Sequence, residues 1–396
     1  MIERLAGPSR PPEPTRTRTP AGSARERVGG SFRRALAAMG WFAAVRVVGL
    51  VVLAVWCAAE ARSPHQLLSA RWDSLWYSDI ARHGYHRVVH VAASPAHGAA
   101  IHSDLAFFPL LPWLEREISA MTGLAPPDAG LAVSAVASLV AAWGIHAVAE
   151  RVVGRTPATV LVVLWAVLPI GILMSMAYTE ALFTALAAWA LHGLLRGRWL
   201  QAGLLTSLAG LTRPSGAALI AAVWVCAAVA LRVRSDGRAR LLAGALLAPV
   251  GLLAYVGRVG GPAAYLRIQG GWGNGFDGGW AYGRFIWRQL SGSGFWAGIG
   301  LLVFVGLVLW AYSCCVKQRL PLALLVYTGV TVAMALGAQA YFNSKPRLLL
   351  PAFPLLLPLA VHLAGLRPAR TAAVLGVLGL ASAAYGAIWL LGPGPP

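Results

Sequence analysis

Residues 37–59 read AAMGWFAAVRVVGLVVLAVWCAA, an apolar run whose one charge is Arg46. A hydrocarbon core about 30 Å thick takes roughly 20 residues of helix to cross, so the stretch is read as a membrane span. Upstream, residues 1–34 are rich in Pro, Arg, Thr, Ser and Gly and have little apolar surface to bury. That composition predicts a disordered tail, and its positive charge predicts that the tail is cytoplasmic. Just downstream, Cys57-Ala58-Ala59-Glu60-Ala61 has the small residues of a signal-peptidase site. The basic region ahead of the span is far longer than a leader's, so an uncleaved anchor is expected.

The same pattern recurs along the chain. Its 396 residues are 58% hydrophobic and 12% charged, with a mean hydropathy of +0.65. Soluble domains carry about 25% charged residues. Further apolar runs lie near 129–149, 157–176, 178–195, 199–212, 215–231, 241–257, 294–313, 320–342, 347–364 and 371–391. The expected fold is therefore an all-α polytopic membrane protein with about eleven transmembrane helices, N-terminus inside and C-terminus outside. Arg151 and Arg155, Arg196 and Arg198, the cluster from Arg232 to Arg240, Lys317 and Arg319, and Arg367 and Arg370 then all face the cytoplasm. A single span over 199–231 would put the Arg232–Arg240 cluster outside. Two short spans broken at Arg213-Pro214 satisfy the rule, and proline supplies the break. The net charge of +19 is read as topogenic charge, and no nucleic-acid-binding motif accompanies it. Cys57, Cys226, Cys314 and Cys315 sit in or at the end of apolar runs without metal-ligand spacing.

Residues 60–128 form the long first connection, expected to be extracytoplasmic. It holds Glu60, Asp73, Asp79, Asp104, Glu115, Glu117 and Asp128, half of the chain's 14 acidic residues, and six of its nine histidines. Trp72, Trp76, Ile80 and His83 recur at helical spacing and predict a helix lying in the membrane interface, ended by Gly84. Asp73 and Asp79 cannot share one face of that helix. Asp104-Leu105-Ala106-Phe107-Phe108-Pro109-Leu110-Leu111-Pro112-Trp113 is too interrupted by proline for a span and is read as a second interfacial helix. A carboxylate among aromatics at a membrane surface is either solvated, paired with Arg71 or Arg82, or a general base tuned by its surroundings. His83, His86 and His90 have the i, i+3, i+7 spacing of metal ligands, but Gly84 interrupts the helix that spacing needs. No metal and no other cofactor is expected.

Two further regions offer candidate binding residues. Arg213, Lys345 and Arg347 are cations near the expected outer face, against the positive-inside bias; snorkelling to headgroups or phosphate binding would explain them. The second outer loop, 258–293, contains Arg267-Ile268-Gln269-Gly270-Gly271-Trp272-Gly273-Asn274-Gly275-Phe276-Asp277-Gly278-Gly279-Trp280. Its glycines argue against helix, each costing up to about 1 kcal/mol relative to Ala. Trp272, Phe276 and Trp280 recur every four residues with Gln269, Asn274 and Asp277 between them, so the loop is read either as a flexible connector or as a lid that closes over a site.

At this point the motifs resemble a known family. Arg71-Trp72-Asp73-Ser74, His83-Gly84-Tyr85, Ala106-Phe107-Phe108-Pro109-Leu110-Leu111-Pro112, Tyr178-Thr179-Glu180-Ala181-Leu182-Phe183, Gly210-Leu211-Thr212-Arg213-Pro214-Ser215-Gly216 and Lys345-Pro346-Arg347-Leu348-Leu349-Leu350-Pro351 resemble, in order, the blocks of PIG-V-type mannosyltransferases. Eukaryotic members add the second mannose of GPI anchors. The resemblance implies a GT-C-like bundle with interfacial helices in the first extracytoplasmic loop. It implies a polyprenyl-phosphate-linked sugar donor, a lipid or glycan acceptor, and transfer with inversion. It also implies that an acidic residue of the first loop is the base, the position Asp73 matches. Arg71, Trp72, Asp79, Asp104, Arg213, Trp272, Lys345 and Arg347 are then candidate substrate-binding residues, with Asp79 and Asp104 as alternative bases. The Arg-, Ala-, Gly- and Pro-rich composition points to a bacterial source, which leaves the acceptor open. The competing class is a transporter or lipid flippase working through ionisable groups within the membrane, with Arg46, His146, His192, Glu180 and Arg213 as its candidates. A membrane scaffold without catalysis is the third reading.

Overall fold

A computed structural model of the chain describes residues 24–91, 100–233, 237–339, 342–392 and 394. It divides into a unit at Met1–Arg34 and a unit at Ala35–Pro396. Within the first, residues 24–34 are helical. The expected disordered tail therefore applies at most to residues 1–23, which lie outside the described residues. The helix that carries the first span, α1 (Ala24–Ala59), starts earlier than expected because Ala24-Arg25-Glu26-Arg27 are all good helix formers.

After α1 the chain forms α2 (Pro64–Ser69) and α3 (Asp73–His83), then a two-stranded antiparallel hairpin, β1 (Val88–Val91) and β2 (Ala100–Ser103). A 3-10 turn at Asp104–Ala106 leads to α4 (Leu110–Thr122). Thus the aromatic segment expected to be one helix splits at Phe107–Pro109. Pro109 has no N–H to give a helix running on from Asp104, and it caps α4 instead.

Next come α5 (Pro126–Val153), α6 (Arg155–Ala166), α7 (Thr179–Leu195), α8 (Trp199–Gly210) and α9 (Gly216–Val233). The break expected at Arg213-Pro214 lies between α8 and α9. Then follow α10 (Arg238–Leu247), α11 (Val250–Arg258), α12 (Pro262–Gly271) and α13 (Trp280–Leu290). The chain ends with α14 (Phe295–Lys317), α15 (Leu322–Gly337), α16 (Lys345–Leu349), α17 (Leu357–Ala364) and α18 (Pro368–Leu391). Residues 262–271 are helical despite Gly270 and Gly271, which correct the expectation of a non-helical second loop. Pro262 starts the helix at N1 and the two glycines fall in its last turn, where they cost least.

Among the described residues, five stretches are long and apolar enough to cross a membrane: Gly29–Ala59, Pro126–Val153, Arg238–Arg258, Phe295–Lys317 and Pro368–Leu391. Others are too short to cross alone. α6 and α8 have 12 residues each, about 18 Å of helix. The run read as 157–176 is helical only to Ala166 and resumes as a 3-10 turn at Gly171–Ser175. The run read as 347–364 is cut at Pro351 and Pro354, with a 3-10 turn at Phe353–Leu356. Such breaks need partners for the freed backbone groups. Arg46 of α1, buried, donates Nη2 to Ala166 O at the end of α6, and Trp165 Nε1 donates to Leu350 O at 3.0 Å.

The core lies between α1, α5, α6, α7, α9, α15 and α17. Phe42 stacks on Trp165 at 5.3 Å. Without a hydrophobic drive between helices in lipid, close approach of backbones does much of the work. Gly203 of α8 lies on Gly244 of α10, and Gly251 of α11 lies on the Ser207 carbonyl, so neither glycine leaves room for a Cβ.

The polar connections gather on one face. Arg62 donates to Leu391 O at 2.8 Å and Arg71 to Gly392 O at 2.5 Å and to Leu390 O, so the first loop caps the end of α18. Tyr255 of α11 shares its hydroxyl between Leu105 O and Phe107 O, both at 2.8 Å. Trp272 Nε1 donates to Ser103 O at 3.0 Å and Gln269 to Ala106 O at 3.3 Å. The second loop is thus stitched onto the first. It is also paired with the end of α15, where Gln339 N donates to Gly275 O at 3.0 Å and Asp277 N to Gly337 O at 3.2 Å.

Candidate active site

The first loop meets the bundle at Asp73. Ser74 Oγ accepts from Arg71 N at 2.9 Å and donates to Arg71 O at 2.7 Å, a tight turn that starts α3. Trp72, the residue before the helix, is held at φ 54°, a left-handed conformation that a large side chain rarely adopts. Asp73 is the first residue of α3, and its N–H donates to the Tyr178 hydroxyl at 3.2 Å. Its Oδ2 accepts from Arg347 Nη2 at 2.5 Å.

Arg347 reaches further. Its Nε donates to Glu180 Oε1 at 2.5 Å, and Arg213 Nη1 donates to the same oxygen at 2.9 Å. Glu180 has no solvent exposure. It sits in the first turn of α7, where the positive end of the helix dipole adds to the two guanidinium groups. The Arg347 guanidinium lies over the Tyr178 ring at 4.6 Å. The result is a chain Asp73–Arg347–Glu180–Arg213, two carboxylates and two cations. It is assembled from α3, the start of α7, the α8–α9 break and α16.

The other expected site residues lie elsewhere. Lys345 does not join the chain of ion pairs. Its ammonium donates to Ala338 O at 2.5 Å and faces the Tyr282 and Phe342 rings at 5.0 and 5.6 Å. Burial lowers it to about 8, against a smaller opposing pull from Asp277. Arg71 serves as a cap on α18, with its guanidinium 4.0 Å from the Trp72 ring, and Trp72 in turn meets Trp389 at 5.5 Å. Asp79 accepts from His83 Nδ1 at 3.0 Å and pairs with Arg87 at 3.5 Å. Asp104 is buried, and its Oδ2 accepts from the N–H groups of both His86 and Arg87 at 2.7 Å, clamping the base of the hairpin. Trp272 stacks on His102 at 4.1 Å and meets Trp76 and Phe107 edge-on at 5.1 and 5.3 Å. It joins the second loop to the first. Burial lowers the His102 imidazole below its ordinary range.

Glu180 and Tyr178 are the members of the cluster that the candidate set lacks. The signal was present: a lone acidic residue at the start of the apolar run 178–195 asks for a partner. Glu115 was also missed. It is fully buried on α4 against Gly130 and Ala177, and neither oxygen has a hydrogen-bond partner among the described residues. Burial pushes its carboxyl well above the usual range, and Arg82 only partly offsets this.

No protein-family model and no curated protein matches the chain. Among solved structures it is similar to ArnT from Cupriavidus metallidurans bound to undecaprenyl phosphate, at 15% identity and a TM-score of 0.47, over 90% of this chain and 63% of that one. It is also similar to the archaeal oligosaccharyltransferase AglB from Archaeoglobus fulgidus in complex with an inhibitory peptide and a dolichol-phosphate, at 13% identity and a TM-score of 0.47, over 90% of this chain and 56% of that one. The apo form of the Archaeoglobus fulgidus oligosaccharyltransferase matches with a TM-score of 0.48 at 13% identity. The chain spans between 56% and 63% of the length of these proteins.

Proposed function

We propose that the chain is a membrane glycosyltransferase that moves a mannosyl residue from a polyprenyl-phosphate-linked donor to a lipid or glycan acceptor on the extracytoplasmic face. The observation that carries this reading is the shared guanidinium of Arg347, which holds Asp73 of the loop and Glu180 of the bundle at once. Arg347 occupies Asp73 Oδ2 and leaves Oδ1 to accept a proton. In the reaction the acceptor oxygen attacks the anomeric carbon, its proton passes to Asp73, and the carbon–oxygen bond to phosphate breaks with its electron pair going to the phosphate. Attack from the face opposite the leaving group inverts the anomeric centre. Glu180, fully buried and paired with two arginines, fixes both guanidinium groups. Preorganised charge of this kind stabilises a leaving phosphate without reorganisation cost. Arg213 and Arg347 supply that charge in this reading, and Lys345 adds to it.

The reading is tested with the purified full chain in nanodiscs, radiolabelled polyprenyl-phosphate-mannose and a membrane lipid extract as acceptor source. Transfer of label to an extractable product is expected, and Asp73→Asn lowers turnover ~10²-fold or more with normal membrane insertion. Undiminished turnover in that variant rules out Asp73 as the base. An unconsumed donor with every acceptor fraction rules out the transferase.

A further inference from the structure

At the far end of α3 from Asp73, Asp79, His83 and His86 each bring a ligand atom to within 4.8 Å of the other two. Asp79 and His83 are one helical turn apart. Gly84, at φ 77°, ends the helix with its N–H on Ile80 O at 2.8 Å, and the chain folds back so that the His86 ring meets the His83 ring at 5.5 Å. Asp104 fixes this turn from below through the His86 and Arg87 N–H groups. His90, by contrast, lies in β1 opposite Ile101 and takes no part. The trio that the fold assembles is therefore not the histidine series that spacing alone brings to notice.

The geometry points to a divalent-metal site at Asp79, His83 and His86, of the kind that takes Zn2+. His83 Nδ1 and Asp79 Oδ1 stand 3.0 Å apart. Two ligands with metal bonds of about 2.0–2.2 Å subtend about 90° at that separation. His86 Nδ1 is hydrogen-bonded to Gly84 O at 2.9 Å. The Nδ1 proton is then donated to the carbonyl, and Nε2 keeps a free lone pair, the usual orientation device of a metal-binding imidazole. Arg87 sits on the other oxygen of Asp79, Oδ2, at 3.5 Å, so it remains as an outer partner when Oδ1 binds metal. On binding, the His83 Nδ1 proton moves to the exposed Nε2 and no other bond changes. Two imidazoles and one carboxylate select zinc or a similar transition ion over Mg2+ or Ca2+, and leave a position for water.

The site is about 9 Å along α3 from Asp73, six residues at 1.5 Å each, and its role is structural. The metal staples the last turn of α3 to the base of the hairpin and so fixes the helix whose first residue is Asp73. This goes beyond the proposed reaction and stands or falls separately from it.

Isothermal titration of the EDTA-dialysed full chain with ZnCl2 provides the test, with bound metal counted by mass spectrometry. One equivalent with a micromolar or tighter dissociation constant is expected. Asp79→Asn and His86→Ala each weaken binding ~10-fold or more. His65→Ala, which removes an exposed imidazole paired with Asp128 at 2.5 Å, leaves it unchanged. Zinc raises the unfolding temperature of the native chain and not that of a His83→Ala/His86→Ala double variant. No binding at ~0.1 mM zinc, where even a weak site would stabilise measurably, overturns the proposal. So does binding by the Asp79 and His86 variants equal to that of the native chain.

Discussion

Arg347 is the residue on which the site turns, because two separate nitrogens of one planar group reach two carboxylates. Lysine presents a single ammonium and cannot span both. Arg347→Lys is therefore expected to lower the proposed glycosyl transfer ~10²-fold or more, measured in the labelled-donor assay. Glu180 keeps Arg213 in that variant, so insertion and thermal unfolding should change little; a loss of folded protein equal to the loss of activity would show a purely structural role. Lys345 gives a pH signature. Its ammonium is charged below about 8 and neutral above. If it helps to hold the donor phosphate, the donor's KM rises as pH climbs through 8 while the acceptor's does not. Lys345→Arg, charged throughout, abolishes the rise. A donor KM flat between pH 7 and pH 9 in the native chain removes Lys345 from the phosphate site. Arg213 and Arg347 were legible as candidates because cations near the outer face break the positive-inside bias, and Asp73 because it is a carboxylate among aromatics in the first loop that matches the family's motif. The roles of Arg71, Asp104 and Trp272 were not legible: each bonds to backbone carbonyls or N–H groups, and sequence carries no sign of which backbone groups a fold will leave bare.

Helix ends carry the next set of consequences. α4 lies on α5 where Gly130 leaves room for the Glu115 side chain; a Cβ there would meet Glu115 Oε1 and stand 2.9 Å from Ala177 Cβ. Gly130→Ala should therefore cost about 1–3 kcal/mol by overpacking, read as a lower unfolding temperature in detergent. The carboxyl of Glu115 has a folded value raised above its unfolded one. Its contribution is fully present below the unfolded value and is lost as pH rises through the folded one. Glu115→Gln should thus gain stability relative to the native chain as pH increases, and parallel curves for the two proteins would refute the assignment. At this scale proline marked the break between α8 and α9 correctly. The shortness of α6 was legible at Pro169, which disfavours helix for the residue before it and removes a donor, but the apolar run 157–176 masked it; Arg46 then satisfies the bared Ala166 carbonyl from a distant span. The helix at Pro262–Gly271 was hidden for the opposite reason: glycine propensity was weighed without the bonds of Gln269 and Trp272 to the first loop, which outweigh it.

For the whole bundle, the caps on α18 fix a parity. α1 ends next to Arg62, and α18 ends on Arg62 and Arg71, so both helices run toward the same face. An odd number of crossings separates the start of α1 from the end of α18, as the eleven-span reading requires, although the short and broken helices leave fewer than eleven full-length spans. At the other face Arg151 Nε donates to Leu195 O at 3.1 Å. Single cysteines placed at Ser63 and Gly392, in a chain otherwise lacking cysteine, should react with an impermeant maleimide from one side of the membrane, and one at Arg198 from the other. Labelling of the Ser63 and Gly392 variants from opposite sides would break the parity.

The distances in sequence between the partners of the ion-pair chain set an order of events during synthesis. Glu180 and Arg213 are 33 residues apart, whereas Arg347 follows Glu180 by 167 residues and Asp73 by 274. A ribosome therefore delivers Asp73 long before its partner. Until then the Glu180–Arg213 pair can form alone, and Asp73 has no Arg347 to meet. A nascent chain released before α16 emerges would be largely helical yet would lack the Asp73–Arg347 pair, which only synthesis past residue 347 can close.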